Sequence, residues 1–191
     1  AATAEPQKVA HWLTDFLQQN APDPQRLRSW LRPANRDKGL LTVLGNSPFL
    51  ALLVKKNPEF LNEHPSPSSH CIPSPDELSH HLLQTNSWDE AARSLRKCKQ
   101  KAYFSIGFND LTQIAPFEET VHALSDLAQS CLEAGYRWLD RSLSQRFGIP
   151  MIDIGHGWQR SRFVILGMGK LGARELNFSS DIDLIYLYEE D

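Results

Sequence analysis

Cysteine is scarce. Cys71, Cys98 and Cys131 are widely spaced and odd in number, which excludes a disulfide framework and reads as reduced thiols in a cytoplasmic protein. Long apolar runs are missing. Nothing approaches the roughly 20 residues needed to span a bilayer, and the start, AATAEPQKVAHW, has no apolar signal-peptide core. No membrane association is expected. Positive charge is not in excess: 20 Lys and Arg stand against 23 Asp and Glu, a formal net charge of −3. There is thus no global basic field to hold nucleic acid, and no nucleic-acid partner is expected. Histidine pairs with zinc-ligand spacing are also missing. His80 and His81 are adjacent, His70 sits beside Cys71 in a Pro/Ser-rich stretch, and His156 lies in a GHGW turn, so each reads as structural or solvated.

What is present is an ordinary globular composition, 41% hydrophobic and 23% charged. Residues 1–150 read as a helical region. An N-cap acceptor followed by Pro recurs at Asp23-Pro24, Ser47-Pro48, Asn57-Pro58 and Ser74-Pro75. Ser74 with Glu77, and Ser87 with Glu90, have capping-box spacing. Helices are expected near 6–19, 24–32, 37–45, 48–56, 58–63, 76–85, 88–107 and 117–146, with a loop or linker over 64–75. The last helix would rise about 45 Å, a length suited to a bundle. Arg93, Arg96 and Lys97 share a face at i, i+3, i+4 spacing. That face is either solvated or a contact for phosphate or an acidic partner surface. The five tryptophans suit helix packing better than base stacking.

From residue 151 the period changes. RFVILG (162–167) and IDLIYLY (182–188) read as strands, the second nearly continuous in apolar residues and so expected to be central in a sheet. An apolar hairpin at the end of the chain, with a sheet edge to pair and a face to cover, predicts a fragment of a longer protein.

Between these strands, Gly167, Gly169 and Gly172 form G-x-G-x-x-G, the fingerprint of a dinucleotide fold, and Glu189 stands where a ribose-binding acid would fall. The spacing argues against that fold. Only nine residues run from Gly172 to Ser180, whereas a parallel crossover needs about a dozen or more with a helix. A Walker A loop fails too, because Ala173 follows Gly172.

The weight falls on Asp181 and Asp183. Two apart on a strand, they project side by side at the start of an apolar run. Two adjacent carboxylates repel unless a cation intervenes, and Mg²⁺ favours a shell of carboxylates and phosphates. The plain alternative is that Asp181 caps a turn while Asp183 forms a salt bridge. Gly167 and Gly169 can bring backbone amides near phosphate oxygens, and Lys170 and Arg174 form a like-charge pair that either wants an anion nearby or bridges to Glu175 or Glu189. Ser179, Ser180 and Asn177 can hold the turn, and Ser180 can also reach phosphate.

The order strand, Gly-x-Gly, short turn, Ser-Asp-x-Asp, apolar strand resembles the DNA polymerase β-like nucleotidyltransferase superfamily. More closely, GMGKLGARELNFSSDIDLIYLY (167–188) resembles the bacterial glutamine synthetase adenylyltransferase/adenylyl-removing enzyme family. SPFLALLVKKNPEFL (47–61), LRKCKQKAYFSIGFNDL and FEETVHALSDLAQSCLEAGYRWL extend the likeness over most of the chain. Ala173 replaces an expected Gly, Phe178 an expected Val, and CKQKAYF is less arginine-rich than the family's run.

The resemblance implies an α+β fold, with a helical bundle over 1–150 and, over 151–191, the first strands of a nucleotidyltransferase mixed sheet, truncated at its C-terminus. It implies a nucleotidyltransferase in which Asp181 and Asp183 are catalytic and hold Mg²⁺ or Mn²⁺. Gly167, Gly169, Lys170 and Ser180 would lie at the nucleotide and phosphates. The substrates and products would be ATP or ADP and inorganic phosphate. The implied partners are glutamine synthetase and the PII nitrogen-signalling protein. Position suggests the N-terminal, adenylyl-removing half, which phosphorolyses adenylyl-tyrosine in the control of nitrogen metabolism. A third carboxylate is expected beyond Asp191, so residues 1–191 alone are expected to be inactive. The alternatives are another nucleotidyltransferase-superfamily protein and a non-catalytic helical docking fragment.

Overall fold

Local chemistry sets several helix ends in the computed structural model, which describes residues 6–20, 37–62 and 72–189. The helix expected near 24–32, its Asp23 cap, and His70 and Cys71 of the linker lie outside these residues. The elements are α1 (Pro6–Asn20), α2 (Asp37–Asn46), α3 (Pro48–Lys56), a 3₁₀ turn (Pro58–Asn62), α4 (Pro75–Leu83), α5 (Trp88–Leu111), α6 (Phe117–Phe147), β1 (Met151–Asp153), β2 (Trp158–Arg160), β3 (Phe163–Gly167), α7 (Gly169–Gly172) and β4 (Leu184–Tyr188).

Two of the caps followed by Pro work as expected. Ser47 Oγ accepts from the Leu50 N–H of α3 at 3.2 Å. Ser74 and Glu77 form a full capping box at α4, with Glu77 N–H donating to Ser74 Oγ and Ser74 N–H donating to Glu77 Oε2. At α5 the box is displaced. Ser87 Oγ accepts from Glu90 N–H, but the Glu90 carboxylate accepts from Asn86 N–H, one residue earlier. Asn57 does not cap forward. Its Nδ2 donates back to Leu53 O at 3.0 Å, so it closes α3 while the chain tightens into a 3₁₀ turn.

The chain divides into two compact units, residues 1–71 with 100–120, and 72–99 with 121–191. In the first, α1 to α3, the 3₁₀ turn and the C-terminal half of α5 enclose Phe16, Val43, Val54, Phe60, Phe104 and Phe108. Trp12 stacks on Phe16 with ring centroids 4.9 Å apart. In the second, Leu78 and Leu82 of α4 are buried against Ala91 of α5 and Ala134 of α6. Arg137 Nη1 of α6 bridges to Asp76 Oδ1 of α4 at 2.5 Å. Among the described tryptophans, helix packing holds for Trp12 and Trp138, while Trp30 lies outside the described residues. Trp88 is 60% and Trp158 69% exposed, because Trp88 opens a helix and Trp158 sits on a three-residue strand.

All strand pairing among the described residues is antiparallel. β1 pairs with β2 around the Gly155–Gly157 bend, a hairpin whose strands are too short to show alternation. β3 pairs with β4 in the register Phe163↔Tyr188 to Gly167↔Leu184. The antiparallel pairing removes the parallel crossover that a dinucleotide fold requires. β4 begins at Leu184, two residues later than the apolar run suggests, and among the described residues it pairs with β3 alone instead of lying centrally. The hairpin is tied to α6 by a run of rings. Tyr136 stacks on Phe163 at 5.3 Å and Phe163 on Tyr186 at 5.9 Å. No described helix is long and apolar enough to cross a membrane.

Candidate active-site turn

The β3–β4 register brings Gly167 opposite Leu184, so the glycine turn and the two aspartates meet at the same end of the hairpin. Met168 N–H donates to the Asp183 carbonyl at 2.9 Å, which carries the pairing one step past the strands and closes the neck of the connecting loop. Asp183 therefore belongs to the hairpin although it precedes the strand proper.

Each glycine has a separate physical reason. Gly169 has φ +53°, a left-handed conformation that side chains disfavour. Gly172 packs against β3, where an added Cβ would come to 2.6 Å from the Gly167 carbonyl oxygen. Together they fold Gly169–Gly172 into one helical turn pressed on the end of β3. The turn has no side-chain cap at Met168. Asp183 Oδ2 lies 3.8 Å from where a Cβ on Gly169 would sit, so the carboxylate lies beside the bare backbone of the turn.

The rest of the loop is anchored to α6. The buried Leu176 N–H donates to Ser125 Oγ at 3.2 Å, and Ser125 Oγ donates to Val121 O at 2.8 Å. Arg174, with φ +59°, reaches Asp126 Oδ1 at 2.6 Å. Arg174 is thus engaged by a carboxylate of the protein, 48 residues away, and does not form a helical pair with Lys170. Asn177 organises the approach to the aspartates. Its Oδ1 accepts from Ser179 N–H and from both serine hydroxyls, at 2.9 to 3.0 Å, while its N–H donates to Ser180 Oγ at 3.2 Å. The Ser180 hydroxyl proton is accordingly directed into the turn.

Asp181, Asp183 and Lys170 are exposed and have no ion-pair partner among the described residues. The salt bridge that would make Asp183 a structural residue is therefore not formed among them. Two exposed carboxylates without cationic partners, beside an open glycine backbone, are hard oxygen donors of the type Mg²⁺ and Mn²⁺ accept. No group of three or more His, Cys, Asp or Glu among the described residues could hold a metal, so these two acids supply only part of a shell. Ser125 and Asp126 are the contributors that sequence reasoning overlooked. A buried serine in an apolar helix stripe was the one available signal.

Comparison with known proteins points first to a class, since the family that this chain matches is one of nucleotidyltransferases named for adenylyl transfer. Residues 37–191 match the model of the glutamate-ammonia ligase adenylyltransferase family, and the chain belongs to that family. Among its relatives, the bifunctional glutamine synthetase adenylyltransferase/adenylyl-removing enzyme of Hahella chejuensis is 35% identical over 160 residues, 79% of this chain and 16% of the relative. The enzyme of the same name from Thioalkalivibrio sulfidiphilus is 35% identical over 181 residues, 92% of this chain and 18% of the relative. That of Pseudomonas putida is 43% identical over 122 residues, 61% of this chain and 12% of the relative. The chain spans less than a fifth of the length of each of these relatives.

Proposed function

We propose that residues 151–191 are the first strands of a polymerase β-like catalytic domain, and that the chain is part of the adenylyl-removing half of a bifunctional enzyme acting on glutamine synthetase, with the PII protein as a regulator. The observation that carries this reading is the Asp183 carboxylate set beside the Gly169 turn, with Asp181 two residues earlier in the chain and neither acid neutralised by a cationic side chain among the described residues.

In the proposed reaction an oxygen of inorganic phosphate attacks the α-phosphorus of adenylyl-tyrosine. The bond to the tyrosyl oxygen breaks in line, ADP leaves, and the tyrosyl oxygen takes up a proton. Asp181 and Asp183 would hold Mg²⁺ or Mn²⁺, which when bound neutralises charge on the phosphoryl oxygens. The turn at Gly167 and Gly169 leaves backbone open to the phosphates, and Lys170 offers a cation not engaged by an ion pair among the described residues. Ser180 acts chiefly by fixing the loop with Asn177, with one lone pair of its hydroxyl left to meet the ligand.

The test is a split assay on the full-length parent protein. With adenylylated glutamine synthetase and phosphate, Asp183→Asn should lower ADP release by about a hundredfold or more, the several kcal/mol that a bound metal contributes. ATP-dependent adenylylation should persist. Loss of adenylylation with removal intact would assign this region to the other half, and unchanged removal would refute the site.

A further inference from the structure

Away from the carboxylate turn, α4, α5 and α6 of the second unit leave an open well of about 260 Å³. Small residues create it. Ala92 and Gly135 stand at the helix crossing where larger side chains would close it, and even a Cβ on Gly135 would come no nearer to Leu95 than 3.9 Å. Trp88 and Trp138 wall one side, with ring centroids 6.1 Å apart. Trp88 is 60% exposed, so its ring is open to a ligand at the mouth of the well. Burial pushes the Cys131 thiol up to about 11, so that wall is uncharged at neutral pH.

The lip has the opposite chemistry. Arg96 and Lys99 border the well, and Arg93 lies one turn before Arg96 on the same helix face. Arg93 and Arg96 are exposed and have no ion-pair partner among the described residues. The apolar area and the cationic track are contiguous, but the track runs past the well along α5. A small acid would fill the well and leave Arg93 unmet. An extended ligand meets both.

We propose that this face docks an acidic segment of a partner protein, which seats one large apolar side chain in the well and lays carboxylates on Arg93 and Arg96. The well is the anchor pocket and the arginines set charge and direction, the division of labour seen where buried aromatic anchors meet a polar rim. The inference does not depend on the reaction proposed for Asp181 and Asp183.

The experiment is fluorescence polarisation with the full chain and three labelled 12-residue peptides. One carries a single Trp flanked by Glu, one has Ser for that Trp, and one has Lys for each Glu. The acidic Trp peptide should bind in a saturable and salt-sensitive manner. Either change should weaken it by about tenfold or more, the scale of losing a buried aromatic ring or reversing the charge pairing. Arg96→Glu on the surface, and Ala92→Leu filling the well, should each weaken it by about tenfold. If Ala92→Leu unfolds the chain, Arg96→Glu decides alone. Absence of saturable binding, equal binding of the Lys peptide, or indifference to Arg96→Glu would overturn the proposal. So would full displacement of the acidic Trp peptide by 3-phenylpropionate, which would mark a small-acid pocket.

Discussion

Asp183 borders Gly169 twice: its carbonyl accepts the N–H of the preceding Met168 at 2.9 Å, and its carboxylate Oδ2 lies 3.8 Å from where a Cβ on Gly169 would sit. One residue thus closes the neck of the loop with its backbone and faces the glycine turn with its side chain. The backbone bond survives any substitution that keeps the peptide, so side-chain changes at Asp183 probe chemistry with little effect on the fold. That separation makes the carboxylate test above interpretable.

The three glycines of the turn differ in what they tolerate. Gly172→Ala places a methyl 2.6 Å from the Gly167 carbonyl, and backbone on both sides cannot yield. It should cost about 1–3 kcal/mol, as overpacking does. Gly169→Ala has room, so its cost is the left-handed backbone alone, about 1–2 kcal/mol. Gly167→Ala meets only the Leu171 side chain, at 2.9 Å, which can turn away, and should be the mildest. Urea unfolding of the three variants should return that order; a mild Gly172→Ala would contradict the packing of the turn on β3.

Two tethers hold the loop to α6, and their magnitudes differ. The Arg174–Asp126 pair is about half exposed at both ends, so Asp126→Ala should change stability by about 0–1 kcal/mol and less in high salt. Ser125→Ala strands the Leu176 N–H in a buried position, at a cost of about 1–3 kcal/mol. Amide exchange at Leu176 should therefore accelerate strongly in Ser125→Ala and hardly at all in Asp126→Ala. The reverse ranking would show that the ion pair sets the loop.

The contrast between those tethers shows what was readable from residues alone. Ser47-Pro48 and Ser74-Pro75 with Glu77 announce helix starts because donor and acceptor lie three residues apart in the chain. The exclusion of a dinucleotide fold likewise rested on a local distance, the nine residues from Gly172 to Ser180, and the antiparallel β3–β4 pairing agrees. Arg174 and Leu176 find their partners 48 and 51 residues away, so no window of sequence contains them. The β1–β2 hairpin escaped because three residues per strand are too few for alternation, although the glycines of its turn were visible. The apolar run places the start of β4 two residues early because Ile182 continues it, while strand pairing begins only at Leu184.

The capping box at α4 predicts a pH response. Glu77 is held below its ordinary value of 4.5, first by the Ser74 N–H and then by the Ser74 hydroxyl. A carboxyl lowered in the folded state stabilises above the unfolded value and loses that contribution as pH falls through the folded one. The first turn of α4 should thus be fully capped above 4.5 and fray at lower pH. Protection of the Ser74 amide, its exchange relative to the intrinsic rate at the same pH, should fall below that point. Glu77→Gln should flatten the response; an unchanged profile in that variant would show that another group controls the cap.

The donor set at the turn makes the last prediction quantitative. Mg²⁺ takes six oxygens and Mn²⁺ suits the same hard ligands. Asp181 and Asp183 supply two of the side chains, and no third acid, His or Cys among the described residues joins them. Residues 1–191 alone should therefore bind Mn²⁺ with a Kd on the order of millimolar or weaker. Electron paramagnetic resonance of free Mn²⁺ reads this directly. Asp181→Asn with Asp183→Asn should remove what binding there is, while circular dichroism stays unchanged, because both carboxylates are exposed and hold no ion pair among the described residues. Phosphorolysis of adenylylated glutamine synthetase by this chain should stay at background. On the reaction proposed above, a longer protein that adds further ligands should bind tighter and turn over. Tight Mn²⁺ binding or measurable ADP release by residues 1–191 would show that two carboxylates and the glycine turn suffice, and would overturn the expectation of a third.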